Sequence, residues 1–148
     1  MAAGGKAPRI VAGVDGSPSA RSALRWAIRQ AEVTGGTVDA VIAWQCPASY
    51  AGYGMPLSGV SAGVDYAGWA AKALAEEVTT ATSDSPVDVR TRVTEGSPAQ
   101  VLLDAAKGAD LLVVGSRGHG GFAEALLGSV GQHCVHHAGC PVVVVRGQ

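Results

Sequence analysis

Asp110 to Gly121 runs DLLVVGSRGHGG, an apolar segment that breaks abruptly into glycine. Ala109 to Gly115 is apolar at nearly every position, over the length of a strand. A run with no polar face reads as a strand buried on both sides, which places it in the middle of a parallel sheet. Four of the seven residues from Gly115 to Gly121 are glycine, so the strand gives way at once to a tight, backbone-exposed loop. Ile10-Val11-Ala12-Gly13-Val14 has the same character, and Asp15-Gly16-Ser17-Pro18 closes it. Ser17 can cap the free N–H groups of a helix, and Pro18 suits the first helical position. That helix runs to about Thr34. It turns Ala23, Leu24, Ala27, Ile28 and Ala31 inward and leaves Arg21, Arg25 and Arg29 on a solvated stripe. Gly35-Gly36 ends it.

The remaining elements follow the same rhythm. Thr37 to Trp44 is a second strand and about Val64 to Thr82 a second helix. Val87 to Thr94 alternates apolar and charged residues, the mark of a half-solvated strand at a sheet edge. Ser97-Pro98 repeats the cap-and-proline start of a helix that ends at Gly108 and carries Val101, Leu102 and Ala105 inward. A fourth helix spans about Ser129 to His137, and Cys140 to Arg146 is the fifth strand. Strands alternating with helices require a parallel sheet with helices on both faces. The fold class is therefore α/β: a five-stranded parallel sheet of flavodoxin-like order 3-2-1-4-5. The expected organisation is one domain over residues 1–148, with 1–8 a flexible tail and 45–63 a long mobile loop. The fifth strand is the second edge, yet Val142 to Val145 are all apolar. Such an edge needs cover, from a second subunit in a homodimer or from the chain's own helix.

Composition narrows the function. With 47% hydrophobic and 16% charged residues in 148, the chain has ample material for a core. A net charge of −1 supplies no global positive field for nucleic acid or an anionic membrane, so neither is an expected partner. No apolar run reaches the roughly 20 residues of a membrane span. Met1 to Pro8 lacks the apolar core of a secretory signal. Three scattered cysteines, Cys46, Cys134 and Cys140, suit reduced thiols, and the expected setting is cytoplasmic.

In this architecture ligands bind beyond the carboxyl ends of the strands, where the order reverses between strands 1 and 4. Gly13-Val14-Asp15-Gly16 and Gly115-Ser116-Arg117-Gly118-His119-Gly120-Gly121 meet there. Consecutive glycine N–H groups form a concave anion nest. Gly128-Ser129-Val130 opens a helix whose N-terminus offers free donors and a positive dipole end. Arg117 and His119 can add charge-assisted donors. Asp15 can accept from ribose hydroxyls or help hold a metal ion, or serve only as a turn residue. Ser129 can meet a phosphate or act as a plain cap. The loop is not a P-loop, lacking Gly-Lys-Ser/Thr, and position 123 is Ala, which breaks Gly-x-Gly-x-x-Gly. What stands there is Gly115-x2-Gly118-x9-Gly128-Ser129. His133, His136 and His137 with Cys140 raise a metal site, but a helix C-terminus attracts His for dipole reasons alone. No nucleophile–base pair can be assigned, so catalysis beyond slow hydrolysis is not expected. Three classes of function remain: a nucleotide-binding regulator, an enzyme or flavin carrier of the same fold, and a nucleotide-free interaction protein.

IVAGVDGS (Ile10 to Ser17), DLLVVGSRGHGG (Asp110 to Gly121), LLGSV (Leu126 to Val130) and HHAGCPVVVV (His136 to Val145) together resemble the universal stress proteins, in their ATP-binding subgroup. The resemblance covers nearly the whole chain. It implies an adenine nucleotide, foremost ATP with Mg²⁺ on its phosphates, and a homodimer through the last strand. It implies a stress-response switch gated by the ligand. Gly13 and Asp15 would contact adenosine and Val41 would meet adenine through its backbone. Gly115 to Gly121, with Gly128, Ser129 and Val130, would hold the phosphates. Gly131 departs from the Ser or Thr of many members. A hydroxyl for the terminal phosphate is missing, which leaves AMP, ADP or a cyclic nucleotide open.

Overall fold

The computed structural model describes residues 7–45, 65–117 and 128–147. Nine elements alternate: β1 (Arg9–Val14), α1 (Pro18–Thr34), β2 (Thr37–Trp44), α2 (Tyr66–Ala81), β3 (Val89–Glu95), α3 (Pro98–Ala105), β4 (Leu111–Gly115), α4 (Ser129–His137) and β5 (Val142–Val145). The strands form one sheet in the order β3-β2-β1-β4-β5. Every neighbouring pair is parallel. The expected order and the edge position of β3 are both met. The alternating β3 leaves Arg90, Thr91 and Arg92 exposed.

Element limits differ from the sequence reading by one to three residues, for local reasons. The Asp65 carboxylate accepts from Gly68 N–H at 2.8 Å, so α2 starts at Tyr66. Pro141 has no N–H to donate, and β5 begins after it, although its carbonyl still accepts from Leu112 N–H at 3.0 Å. Helix α1 begins as expected, with Ser17 accepting from Ala20 N–H and Pro18 next to it. It ends at Gly35, whose φ of 74° is left-handed and open to glycine at little cost. The tail 1–6, most of the loop 45–63 (46–63), and residue 64 lie outside the described residues.

Alternation along the strands divides the core. Ile10, Ala12 and Val14 face α1 and α2, where Leu24, Ile28 and Leu74 are buried against them. Val11, Val41, Leu112 and Val114 face α3 and α4, against Val101, Leu102 and Cys134. Each fully buried aliphatic side chain contributes about 1.5–3 kcal/mol. At the β5 edge the valines alternate in the same way: Val143 and Val145 join the first cluster, Val142 and Val144 the second. All four are half-buried by the chain's own helices.

One charged cluster holds the amino end of the sheet. Asp39, only 4% exposed within β2, is ion-paired by Arg9 of β1, Nη1 to Oδ2 at 2.9 Å. The same guanidinium donates to the carbonyls of Ala105 (3.2 Å) and Lys107 (2.8 Å), closing the C-terminal end of α3. Arg9 N–H donates to Asp110 Oδ2 at 2.8 Å. Asp39 Oδ1 is buried with no hydrogen-bond partner among the described residues. An ion pair of this kind is costly to break on one side only. Arg9→Met should therefore destabilise the protein by about 3 kcal/mol in urea unfolding. Adding Asp39→Val should recover more than half of that loss, since it removes the stranded carboxylate.

Cys134, on the buried face of α4, gives a second test. Burial pushes its thiol up from 9.0 to about 11. The unfolded chain therefore loses this proton first as pH rises. Stability from the neutral thiol is complete below pH 9 and declines between about pH 9 and 11, by about 2–3 kcal/mol in all. Urea midpoints across that window should fall more steeply for the parent than for Cys134→Ala.

Candidate functional site

The site begins where the sheet reverses. β1 pairs with β2 on one side and β4 on the other. Their chain continuations leave in different directions and open a crevice at the carboxyl edge. Asp15 follows β1 and is exposed, while Gly13 and Val14 before it are buried in the strand. Asp15 Oδ1 accepts from Ser17 N–H at 2.8 Å, an Asx turn that leads the chain into α1. The turn role and an exposed carboxylate at the crevice are thus compatible.

Across the crevice, β4 ends at Gly115 against the first turn of α1. A Cβ on Gly115 would come within 2.5 Å of Ser19 Oγ and 2.7 Å of Ala20 N. Only glycine lets the two backbones approach so closely. Ser116 N–H donates to Val145 O at 2.8 Å, and Arg117 N–H donates to Ser19 Oγ at 3.2 Å. Ser19 Oγ donates in turn to Arg117 O at 2.5 Å. These two amides are therefore spent inside the fold. Gly118, His119, Gly120 and Gly121 lie outside the described residues.

Gly128 N–H donates to Ser116 O at 2.7 Å. Gly128 is the N-cap of α4, and among the described residues no side chain caps this helix. The other three helices are capped by Ser17, Asp65 and Ser97. Ser129 is accordingly not a cap but the first helical residue, and it is exposed. The amides of Ser129, Val130 and Gly131 make up the uncapped first turn, beside the end of β4. An uncapped first turn with its dipole's positive end is suited to an anion.

The structure brings Asp15, Ser116, Arg117, Gly128, Ser129 and Val130 to one edge of the sheet. Val41 lies inside the ladder, one residue pair short of that edge. Val41 is 1% exposed and pairs with Gly13 inside the β1–β2 ladder. The last β1–β2 pair is Val14 with Ile42. Ala43, two residues beyond Val41 on the same face, is the first β2 residue past that pairing and still has Thr94 of β3 beside it. Sequence reasoning did not single out Ala43, because only the register shows where the ladder opens. It also missed Ser19, which no spacing marks.

Other polar groups stand apart. His133, His136 and His137 are exposed, with the rings of His133 and His137 4.6 Å apart. No group of three His, Cys, Asp or Glu able to hold a metal occurs among the described residues. A groove of about 560 Å³ between α3 and α4 is lined by Asp104, Lys107, His133 and His137. It extends to Gly108 and Gly139, at the other end of the strands from Asp15. Among the described residues no helix is long and apolar enough to cross a membrane.

A doubly wound α/β fold, with a carboxylate and an uncapped helix meeting at the strand-order switch, defines a class of ligand-binding modules. This chain belongs to one family within it, the universal stress protein family, whose model matches residues 7–146. A universal stress protein of Mycolicibacterium smegmatis is 34% identical over 146 residues, 93% of this chain and 48% of that protein. The chain spans about half the length of the curated full-length relatives it matches. Among solved structures, universal stress protein UspA from Lactobacillus plantarum superposes with a TM-score of 0.74 at 24% identity, covering 96% of this chain and 99% of that one. A universal stress protein in complex with cAMP gives 0.70 at 25% identity, covering 96% and 98%. An Arabidopsis thaliana family member with AMP bound gives 0.64 at 20% identity, covering 95% and 92%. Members of the family thus bind adenine nucleotides.

The close approach at Gly115 is directly testable. Gly115→Ala should cost at least about 2 kcal/mol, because the added Cβ meets the backbone of α1 as well as a side chain. Gly139→Ala, with nothing within 4 Å of its Cβ, should stay within about 0.5 kcal/mol of the parent. Thermal melts of the two variants compare them under one condition.

Proposed function

We propose that this protein binds an adenine nucleotide at the carboxyl edge of its sheet and acts as a ligand-gated regulatory module. One observation carries the reading: the hydrogen bond from Gly128 N–H to Ser116 O. It sets the uncapped start of α4 beside the end of β4, next to the crevice that Asp15 flanks. The amides of Ser129, Val130 and Gly131 then receive the phosphates, with the Arg117 side chain as a further cation. Asp15 accepts from the ribose hydroxyls or shares a Mg²⁺ that accompanies a triphosphate. Adenine stacks over the Gly13 end of β1 and meets the backbone at Ala43, which takes the place first given to Val41. Gly118 to Gly121, including His119, complete the phosphate side.

ATP is the first nucleotide to test, because the spacing Gly115-x2-Gly118-x9-Gly128-Ser129 matches the ATP-binding subgroup. Gly131 favours a second reading. It is buried in the first turn of α4 and brings no hydroxyl toward a terminal phosphate, which suits AMP or cyclic AMP. The relatives with cAMP and AMP agree with that alternative. Binding without efficient turnover suits a switch: occupancy changes the surface offered to a partner. The proposed assembly is a homodimer paired through Val142 to Val145, whose outer backbone edge faces no strand among the described residues. The proposed setting is cytoplasmic.

Thermal melts with ATP–Mg²⁺, AMP and cyclic AMP test the proposal. A nucleotide at 100 times its Kd should add about 2.7 kcal/mol to stability. Asp15→Ala should weaken binding about tenfold or more, a loss worth about 1.4 kcal/mol. A protein whose melting point none of the three raises is not a nucleotide module. If AMP or cyclic AMP binds more tightly than ATP, the sensor reading replaces the ATP reading.

A further inference from the structure

We propose that Ser19 is the positioning residue of this site: one buried hydroxyl holds the end of β4 so that the start of α4 stands where phosphates can reach it. The proposal rests on the adenine-nucleotide reading and adds a residue that touches neither base nor phosphate. Ser19 is 4% exposed in the first turn of α1. Its hydroxyl closes both backbone groups of Arg117, donating to the carbonyl at 2.5 Å and accepting from the N–H at 3.2 Å. Ser17 Oγ adds only a longer bond to the same carbonyl, at 3.3 Å.

Two strand ends are shaped around this serine. Gly115 leaves room for its hydroxyl. Gly147, just after β5, leaves room for its backbone: a Cβ there would come within 2.8 Å of Ser19 Cα and N. The residue after Gly115, Ser116, is tied to Val145 O on one side and Gly128 N–H on the other. The path is short: hydrogen bonds from Ser19 to Arg117, the peptide link back to Ser116, and a hydrogen bond from Gly128 N–H to Ser116 O at the start of α4. A serine in a helix's first turn usually does no more than tidy its own helix. Here the partners lie 98 residues away. Loss of the hydroxyl strands the Arg117 N–H and leaves its carbonyl only the longer bond from Ser17 Oγ, at the root of the site. The competent placement of α4 then becomes less populated, and apparent affinity falls with it.

The test compares the parent with Ser19→Ala, using Ser22→Ala on the same helix as control. Amide exchange at Arg117, followed by NMR without nucleotide, should quicken about tenfold in Ser19→Ala. The Kd for the parent's tightest nucleotide should rise about fivefold or more, with Ser22→Ala unchanged in both. Ser19→Cys keeps the volume and a weak donor. It should give intermediate values and serves if the alanine variant does not fold. A nucleotide affinity unchanged in both Ser19 variants overturns the proposal, even if Arg117 exchanges faster. A parent that binds no adenine nucleotide overturns the reading beneath it instead, and Arg117 exchange then reports the latch alone.

Discussion

The pairing of β1 with β4, Ile10 opposite Leu111 through Ala12 opposite Val113, is the constraint that the other features answer to. It brings together two strands about a hundred residues apart and makes them neighbours at the sheet's centre. Both are apolar on both sides, so both need helices above and below. The right-handed crossovers then put α1 and α2 on one face, and α3 and α4 on the other. Because β2 lies beyond β1 and β5 beyond β4, the connections leaving β1 and β4 diverge. The crevice at their carboxyl ends is a consequence of topology, and the chemistry placed in it is a matter of which residues follow each strand.

The two ends of the sheet have opposite character. At the amino end, Arg9 joins β1, β2 and the end of α3 in one partly buried cluster. Such a cluster adds little net stability but punishes any rearrangement that separates its members. At the carboxyl end the bonds join backbone groups to one another, to serine hydroxyls, to the Asp15 carboxylate and to Arg21, and among the described residues no side chain caps the start of α4. The ends of the structure thus divide rigidity from receptivity.

Most of the fold is legible in the sequence because its signals are local. Ser17-Pro18 and Ser97-Pro98 mark two helix starts, and both serines cap as expected. The all-apolar runs mark central strands, and the alternation in β3 marks an edge. The site is legible only in part. Asp15 and Ser129 stand out by position after a strand and before a helix. Ala43 does not, because its distinction from Val41 is one of register, and two apolar residues on one face look alike in sequence. Ser19 does not, because its partners at Arg117, Gly115 and Gly147 depend on how α1 crosses the ends of β4 and β5.

The uncapped start of α4 fits the same division. A side-chain cap is worth about 1 kcal/mol, and three helices of this chain have one. At α4 the capping position is Gly128, whose N–H instead reaches back to Ser116. A serine or aspartate there would satisfy a first-turn amide and stabilise the helix. It would also occupy the donors an anion needs and place an oxygen, in the case of aspartate a negative charge, against it. Glycine forgoes that stability and keeps the donors free. The loss is tolerated because Ser116, Ser19 and the paired ends of β4 and β5 hold the helix start from behind. Local rules of helix stability fail at α4 because the helix start there is held by tertiary contacts in place of a side-chain cap from the described residues.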